Sequence, residues 1–432
     1  MKAVKPLQKL LFTLVIFSSY LATSQSAGSN GAYTLVIEGY DWGPGVNKII
    51  LAVGSPVTEP NPENYTVTVD RSAEGVEMMP GEAKGERKVI YAYVSDEKGH
   101  KTETGSYVTL TLFVGPDHVL GSPIKYIRRD RRGSNEWIDY KLTITDTTSS
   151  KVWDTESGRI LPGIDRFNLR GTYRHNNGPA MSYASYKPET KDTKSPLIIW
   201  LHGGGEGGTD PSIPLIANKA WNYASEEIQP FFGGAYVLAP QSPTFWMHSP
   251  SGEYTRGNVN DIYNEALMGL INQYVSENPG IDKNRIYVGG CSNGGYMSLK
   301  LILEHPDYFA AGYISALAYH SEFLSDAQIA SIKEVPIWFV HAADDQTTVP
   351  QETVLPVYKR LIDAGAKNVH LSYYDHVIDL TGFFGGDDYY YNGHWSWIYS
   401  HANHADFDYD GQPVLLGGRP VTIMEWMAAQ SK

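Results

Sequence analysis

Hydrophobic and polar positions follow different rules in the two halves of this 432-residue chain. From about Ala32 to Ile144, short runs alternate apolar and polar residues: YTLVIEGYDWG, NKIILAVGS, YTVTVD, KVIYAYVSD, SYVTLTLFVG and DYKLTITD. A period of two marks strands with one buried face, and the Gly, Pro, Asn and Asp clusters between the runs mark turns. No helical stretch of useful length interrupts them. The pattern predicts an all-β, immunoglobulin-like sandwich over residues 28–145. It holds no cysteine pair, so it is not an antibody-type domain.

Residues 146–190 read as a connector with further strand-like pieces, GTYRHN and AMSYASYKP, closed by the polar surface loop KPETKDTKSP. From residue 191 the grammar changes. Apolar strands (LIIWLHG, AYVLAP, RIYVGG, AGYISAL, IWFVHA, VHLSYYD) alternate with helical patterns such as NDIYNEALMGLINQYVSENP, YMSLKLILEHP and ETVLPVYKRLIDAGAKN. Such alternation predicts an α/β domain over residues 191–432, a parallel sheet with helices on both faces. Neither an internal repeat nor a low-complexity tract is visible.

Composition adds a compartment and removes partners. Lys2, Lys5 and Lys9 accompany the apolar run from Leu10 to Phe17, and small residues follow up to Ala27. This is the pattern of a secretory signal peptide over residues 1–27, with an apolar core too short to span a bilayer. No later stretch could cross a membrane, so a secreted protein, extracellular or periplasmic, without stable membrane insertion is expected. The net charge is −13, and more acidic still without the leader lysines. That argues against nucleic acid and anionic membrane surfaces as partners. The basic run Arg128, Arg129, Arg131 and Arg132, interrupted by Asp130, reads as a solvated face or a protected strand edge. The single cysteine, Cys291, permits no intrachain disulfide and reads as a small buried residue.

The candidate chemistry centres on Gly290-Cys291-Ser292-Asn293-Gly294, which follows the strand RIYVGG and opens a helical pattern. A G-x-S-x-G turn between strand and helix lifts its serine above a parallel sheet, which makes Ser292 the candidate nucleophile. A serine needs a base, and the base needs an orienting acid; in this fold they follow in the order Ser, Asp or Glu, His. Asp345 lies just beyond the carboxyl end of strand VPIWFVH, where sites of open parallel sheets form, and is preferred to its neighbour Asp344. His370, His376, His394, His401 and His404 follow. His370 sits in a strand pattern and points to packing, while His401 and His404 stand in a polar loop and read as solvent-facing. Spacing does not separate His376, at the end of the last strand, from His394, in the aromatic loop GHWSW. The glycine-rich run His202-Gly203-Gly204-Gly205-Glu206-Gly207-Gly208 follows a strand, and its backbone N–H groups form half of an oxyanion hole; Asn293 supplies the other half. A phosphate-binding reading fails because no Lys-Ser/Thr follows the glycines.

Taken together, HGGGEGG, VLAPQSPTFWM, GCSNGGYMS, HAADDQTTVP and GHWSW resemble the secreted α/β-hydrolase carboxylesterases of the prolyl-oligopeptidase-like superfamily. With its β-rich half, nearly the whole chain is similar to bacterial esterases with an N-terminal immunoglobulin-like domain. The resemblance implies Ser292, Asp345 and His394 as the catalytic set, Gly204 and Asn293 as oxyanion donors, and Trp246 at the border of the acyl or alcohol pocket. Many such relatives read HGAGERG, whereas this chain has Gly204 and Gly207 at the variable places. The implied function is a secreted serine carboxylesterase acting on a small-molecule or polymeric ester through an acyl-enzyme, without cofactor or metal. Three rivals remain: a feruloyl or polyester esterase whose sandwich binds the polymer, a peptidase of the same superfamily, and a binding protein with an inactive hydrolase domain. The peptidase lacks its usual β-propeller here, and the intact Ser-Asp-His set speaks against inactivity. Asp387 and Asp388 read as a solvated acidic turn rather than a cation site. Oligomerisation through the sandwich is open. Because the whole catalytic set lies within residues 190–432, the sandwich is expected to be dispensable for the chemistry.

Overall fold

A computed structural model describes residues 30–129, 132–189 and 194–432, so the expected leader lies outside the described residues. In the N-terminal half, eight strands follow the order Lys84–Glu86, Tyr65–Ser72, Asp139–Asp146, Val152–Ile160, Gly31–Tyr40, Gly43–Val57, Gly105–Leu112, Val89–Ser95. Alternate residues of strands at both ends of this order (Val67, Val69, Leu142 and Ile144 from one, Val108 and Leu110 from the other) share one core with Leu35, Ile37, Ile49 and Trp153. The sheet therefore closes over itself as a sandwich, with the intervening polar residues facing out.

The sandwich extends past the expected boundary at residue 145. Val152–Ile160 pairs antiparallel with Asp139–Asp146 and parallel with Gly31–Tyr40. Its sequence, VWDTESGRI, buries fully only Trp153, so no apolar alternation marked it as a strand. A second addition is the hairpin Ile124–Arg129 and Arg132–Trp137, a separate two-stranded sheet.

The C-terminal half is built on an eight-stranded mixed sheet ordered Asn168–Arg174, Ala180–Tyr186, Tyr236–Gln241, Ser195–Leu201, Ile281–Cys291, Ala311–Ser315, Ile337–Ala342, Val369–Tyr374. The first two strands come from the expected connector and pair antiparallel; the remaining six run parallel. Ser195–Leu201 shows why the strand pattern is continuously apolar. Leu197, Ile199 and Leu201 join one core, Ile198 and Trp200 join the core on the opposite face, and all are buried. Helices Asn264–Glu277, Asn293–Glu304 and Val354–Asp363 cover the first face, and Trp397–His401 and Ile423–Ala428 the second.

Candidate active site

The nucleophile turn is fixed by backbone crowding. An added Cβ on Gly294 would overlap the carbonyl oxygen of Leu201, and one on Gly290 would come within 2.5 Å of the same oxygen. Only glycine lets the helix Asn293–Glu304 start this close to the neighbouring strand. Between them Ser292 takes φ +55° and ψ −113°, a conformation that side chains rarely adopt, held by its N–H donating to the Ser315 carbonyl at 3.1 Å. Ser292 is only 8 % exposed, yet it lines a cleft of about 560 Å³ at the carboxyl ends of the strands.

His394 lines the same cleft. Its carrier loop is pinned in two ways: Val377–Ile378 pairs with Tyr390–Tyr391, which folds the intervening chain into a hairpin, and the His394 N–H donates to Asn392 Oδ1 at 2.9 Å. The His394 Nδ1–H donates to Asp345 Oδ2 at 2.9 Å, which leaves Nε2 as the nitrogen free to exchange a proton. Asp345 is fully buried beyond strand Ile337–Ala342. Its carboxylate accepts from the N–H groups of Thr347 and Thr348 at 2.8 and 2.9 Å, from Thr348 Oγ1 at 2.6 Å and from His341 Nε2 at 3.1 Å. Burial pushes its carboxyl up, but the hydrogen bonds from His341, His394 and Thr348 outweigh that and hold it well below the usual carboxylate range. His341, the last histidine of the strand, was not anticipated as a support; its position four residues before Asp345 was the available signal.

The glycine loop enters from the other side. His202 is fully buried; its Nδ1–H donates to the Gly203 carbonyl at 2.6 Å and its Nε2 accepts the Ser242 N–H at 3.0 Å. Burial lowers its pKa to about 4, so it is a neutral strut under the loop. Gly204 lies against Asn293, whose Oδ1 accepts the Met247 N–H at 3.1 Å. Neither the Gly204 nor the Asn293 backbone N–H has an acceptor among the described residues. Asn293 is the first residue of its helix, where the N–H has no intrahelical partner and the helix dipole favours negative charge. Position 207 cannot carry a side chain, because a Cβ there would overlap the carbonyl oxygen of Thr244. A guanidinium still reaches this loop, from Arg132 in the N-terminal half.

Other expected residues fall elsewhere. Trp246 is fully buried, packs against His202 with ring centroids 5.0 Å apart and the rings tilted, and does not line the cleft. The chain turns there, so Phe245 stacks instead on Tyr254, and it is Tyr254 that faces the cleft. His376 pairs with Asp344 at 2.8 Å, and His370 pairs with Asp408 at 2.8 Å beside Trp338 and Trp426. His404 is exposed, but His401 is not the solvent-facing residue expected: helix Trp397–His401 turns it inward onto Trp200, and burial lowers its pKa to about 3. Cys291 is buried, and burial pushes its thiol well above the usual range. Asp387 and Asp388 are exposed on the turn Gly386–Asp388, and among the described residues no group of three His, Cys, Asp or Glu side chains could hold a metal ion. Of the basic run, Arg129 pairs with Glu136 at 3.1 Å, Arg132 turns onto the glycine loop, and Asp130 and Arg131 lie outside the described residues.

The mixed sheet and the serine elbow under a glycine loop define an α/β-hydrolase, a serine hydrolase by its architecture. Comparison with known proteins narrows the class. Residues 188–382 match the phospholipase/carboxylesterase family model, behind a match to the esterase immunoglobulin-like N-terminal domain at residues 32–158. Among curated relatives, a poly(3-hydroxybutyrate) depolymerase of Ralstonia pickettii is 27% identical over 178 residues, 39% of this chain and 33% of that protein. A feruloyl esterase B of Neurospora crassa is 27% identical over 146 residues, 33% of this chain and 46% of that protein. The chain thus spans less than two thirds of the length of the curated relatives it matches. The fold of a thermostable esterase matches with a TM-score of 0.72 at 22% identity, covering 93% of this chain and 99% of the other.

Proposed function

We propose that the protein is a secreted serine carboxylesterase working through an acyl-enzyme. The observation that carries this reading is the convergence on one cleft of Ser292, the buried Asp345–His394 pair and two backbone N–H groups without acceptors. In the first half-reaction, Ser292 Oγ attacks the ester carbonyl carbon while His394 Nε2 takes its proton. Asp345 holds the ring and stabilises the imidazolium, and the N–H groups of Gly204 and Asn293 hold the oxyanion. Collapse breaks the bond to the alcohol oxygen, which receives the proton from His394. Water then attacks the acyl-enzyme, its proton passes to His394, and the acid leaves with Ser292 restored. The test is an ester panel of varied acyl length with a peptide amide, run on purified mature protein; ester turnover with the amide inert is expected, and the reverse would replace the esterase reading with the peptidase one.

A polymer-directed esterase is the second reading. It is favoured by a cleft that residues of both halves line, among them Trp42 and Tyr126 from the N-terminal side, and by the names of the depolymerase and feruloyl esterase relatives. Release of soluble product from polyhydroxybutyrate film or feruloylated arabinoxylan separates the two readings. Secretion rests on the leader at residues 1–27 and is checked by N-terminal sequencing of exported protein, where removal after Ala27 is expected.

A further inference from the structure

The glycine loop is fixed from both domains. From below, His202 holds the Gly203 carbonyl, Gln241 Nε2 donates to the Glu206 carbonyl at 2.9 Å, and the Gly208 N–H donates to the Ser242 carbonyl at 2.8 Å. From above comes the hairpin of the N-terminal half. The Asn135 N–H donates to the Gly205 carbonyl at 2.7 Å, and Asn135 Nδ2 donates to Glu206 Oε1 at 2.8 Å. Arg132 donates to the Gly207 carbonyl and, at 3.3 Å, to the Pro243 carbonyl. The Glu206 carboxyl is itself buried, and its second oxygen accepts from Asn218 Nδ2 at 3.2 Å. Three consecutive loop residues, Gly205, Glu206 and Gly207, are thereby tied to two residues of the other domain. Gly204, one residue before them, carries no such tie of its own among the described residues, so its N–H direction is set by what holds its neighbours.

We propose that Asn135 is a positioning residue of the oxyanion hole: its backbone N–H and its side-chain amide hold Gly205 and Glu206, and so aim the Gly204 N–H at the reacting carbonyl. The inference rests on the esterase reading and assigns a role in catalysis to the domain that the sequence treats as dispensable. Asn135 also lines the cleft, which places the tie in the same wall as Gly204. An oxyanion donor acts only when it is held in place before the charge develops, so slack in its support appears in the transition state and not in substrate binding.

The experiment compares wild type, Asn135→Ala, Asn135→Asp and Ser292→Ala on a short-chain aryl ester, and measures inhibition by an aryl trifluoromethyl ketone. The ketone adds the serine to form an oxyanion that needs the same hole. Loss of a whole donor costs about a hundredfold to a thousandfold in kcat, so partial misplacement in Asn135→Ala should cost about tenfold. The ketone should lose affinity by a similar factor, with KM within about twofold; the lost hydrogen bond to the buried Glu206 should lower the unfolding temperature by a few degrees and leave the variant folded at the assay temperature. Asn135→Asp keeps the size but sets an acceptor against Glu206, and its deficit should grow as pH rises. Glu136→Ala, on the same hairpin but pairing with Arg129, should leave kcat unchanged. If Asn135→Ala does not fold, Asn135→Asp and Asn135→Ser are judged by the same criteria. Unchanged kcat and ketone affinity in the folded variants, beside an active wild type and a dead Ser292→Ala, would overturn the inference alone. An inert wild type, or an active Ser292→Ala, would overturn the esterase reading and the inference with it.

Discussion

Two adjacent aspartates each hold a histidine, at nearly the same distance and through the same atoms. Asp345 meets His394 at 2.9 Å and Asp344 meets His376 at 2.8 Å. Their surroundings differ completely. The Asp345 side chain is 0% exposed and its histidine 13%, whereas Asp344 is 35% exposed and His376 44%. Asp345 accepts from two backbone N–H groups, a threonine hydroxyl and a second histidine, while His376 leans on the exposed Tyr390. An exposed pair is screened and mobile; a buried pair whose carboxylate oxygens are all engaged is held in one geometry. Distance therefore does not tell the two pairs apart, but burial, anchoring and a cleft shared with Ser292 do. Asp344 still has a task. Gly393 packs so closely on it that a Cβ would overlap its Oδ1, so the outer pair seats the loop that presents the inner one.

The largest effect expected is at the nucleophile: Ser292→Ala should lower kcat on a short-chain aryl ester by about ten-thousandfold or more, with an unchanged circular dichroism spectrum. Next, Asp345→Asn should cost about a thousandfold to ten-thousandfold, because the amide favours the wrong histidine tautomer, while Asp344→Asn should stay within about threefold. Equal losses from the two substitutions, measured as kcat/KM, would erase the distinction between the pairs. Gly393→Ala should fall between these, about tenfold to a hundredfold, since the added methyl displaces the His394 loop from Asp344 by a fraction of its own size. A loss no greater than that of Asp344→Asn would mean the loop is not seated there.

The smallest effect concerns stability. Burial pushes the Glu206 carboxyl up to about 7 against hydrogen bonds from Asn135 and Asn218 that lower it. A raised carboxyl pKa favours the folded state at low pH: the contribution is complete below about 4.5, the ordinary value for glutamate, and is lost as pH rises through about 7. Between pH 5 and pH 8 the unfolding temperature of wild type should therefore fall by a few degrees more than that of Glu206→Gln, which cannot ionise. Parallel curves by differential scanning calorimetry would show that Glu206 does not titrate in that window.

The elements most legible in the sequence were those whose neighbours dictate them locally. The run RIYVGGCSNGG declared strand, elbow and helix because its glycines and apolar residues are required by backbone crowding against Leu201 and by two buried faces. Asp345 was named, but nothing along the chain distinguishes the burial of two adjacent aspartates. His376 and His394 were inseparable by spacing because their different settings are made by a hairpin, Val377–Ile378 with Tyr390–Tyr391, that removes the intervening residues from the path. The strand Val152–Ile160 stayed hidden behind polar residues, and Trp246 looked like a pocket residue although its ring faces His202. The contact between domains was the least readable. Arg132 and Asn135 sit in a polar hairpin of intermediate burial that carries no apolar pattern, and their partners are carbonyls and one carboxylate, which leave no trace in hydropathy.

The central claim is that the buried pair, and not the exposed one, drives Ser292. Measuring kcat/KM for a short-chain aryl ester in His394→Ala, His376→Ala and the double variant Ser292→Ala/His394→Ala tests it most directly. A positioned base contributes about a hundredfold to ten-thousandfold, and members of one catalytic unit do not add. The account predicts that His394→Ala loses nearly as much as Ser292→Ala, that the double variant loses little more, and that His376→Ala keeps most of its activity. A dead His376→Ala beside an active His394→Ala would contradict it and make the strand-end histidine, with Asp344, the working pair.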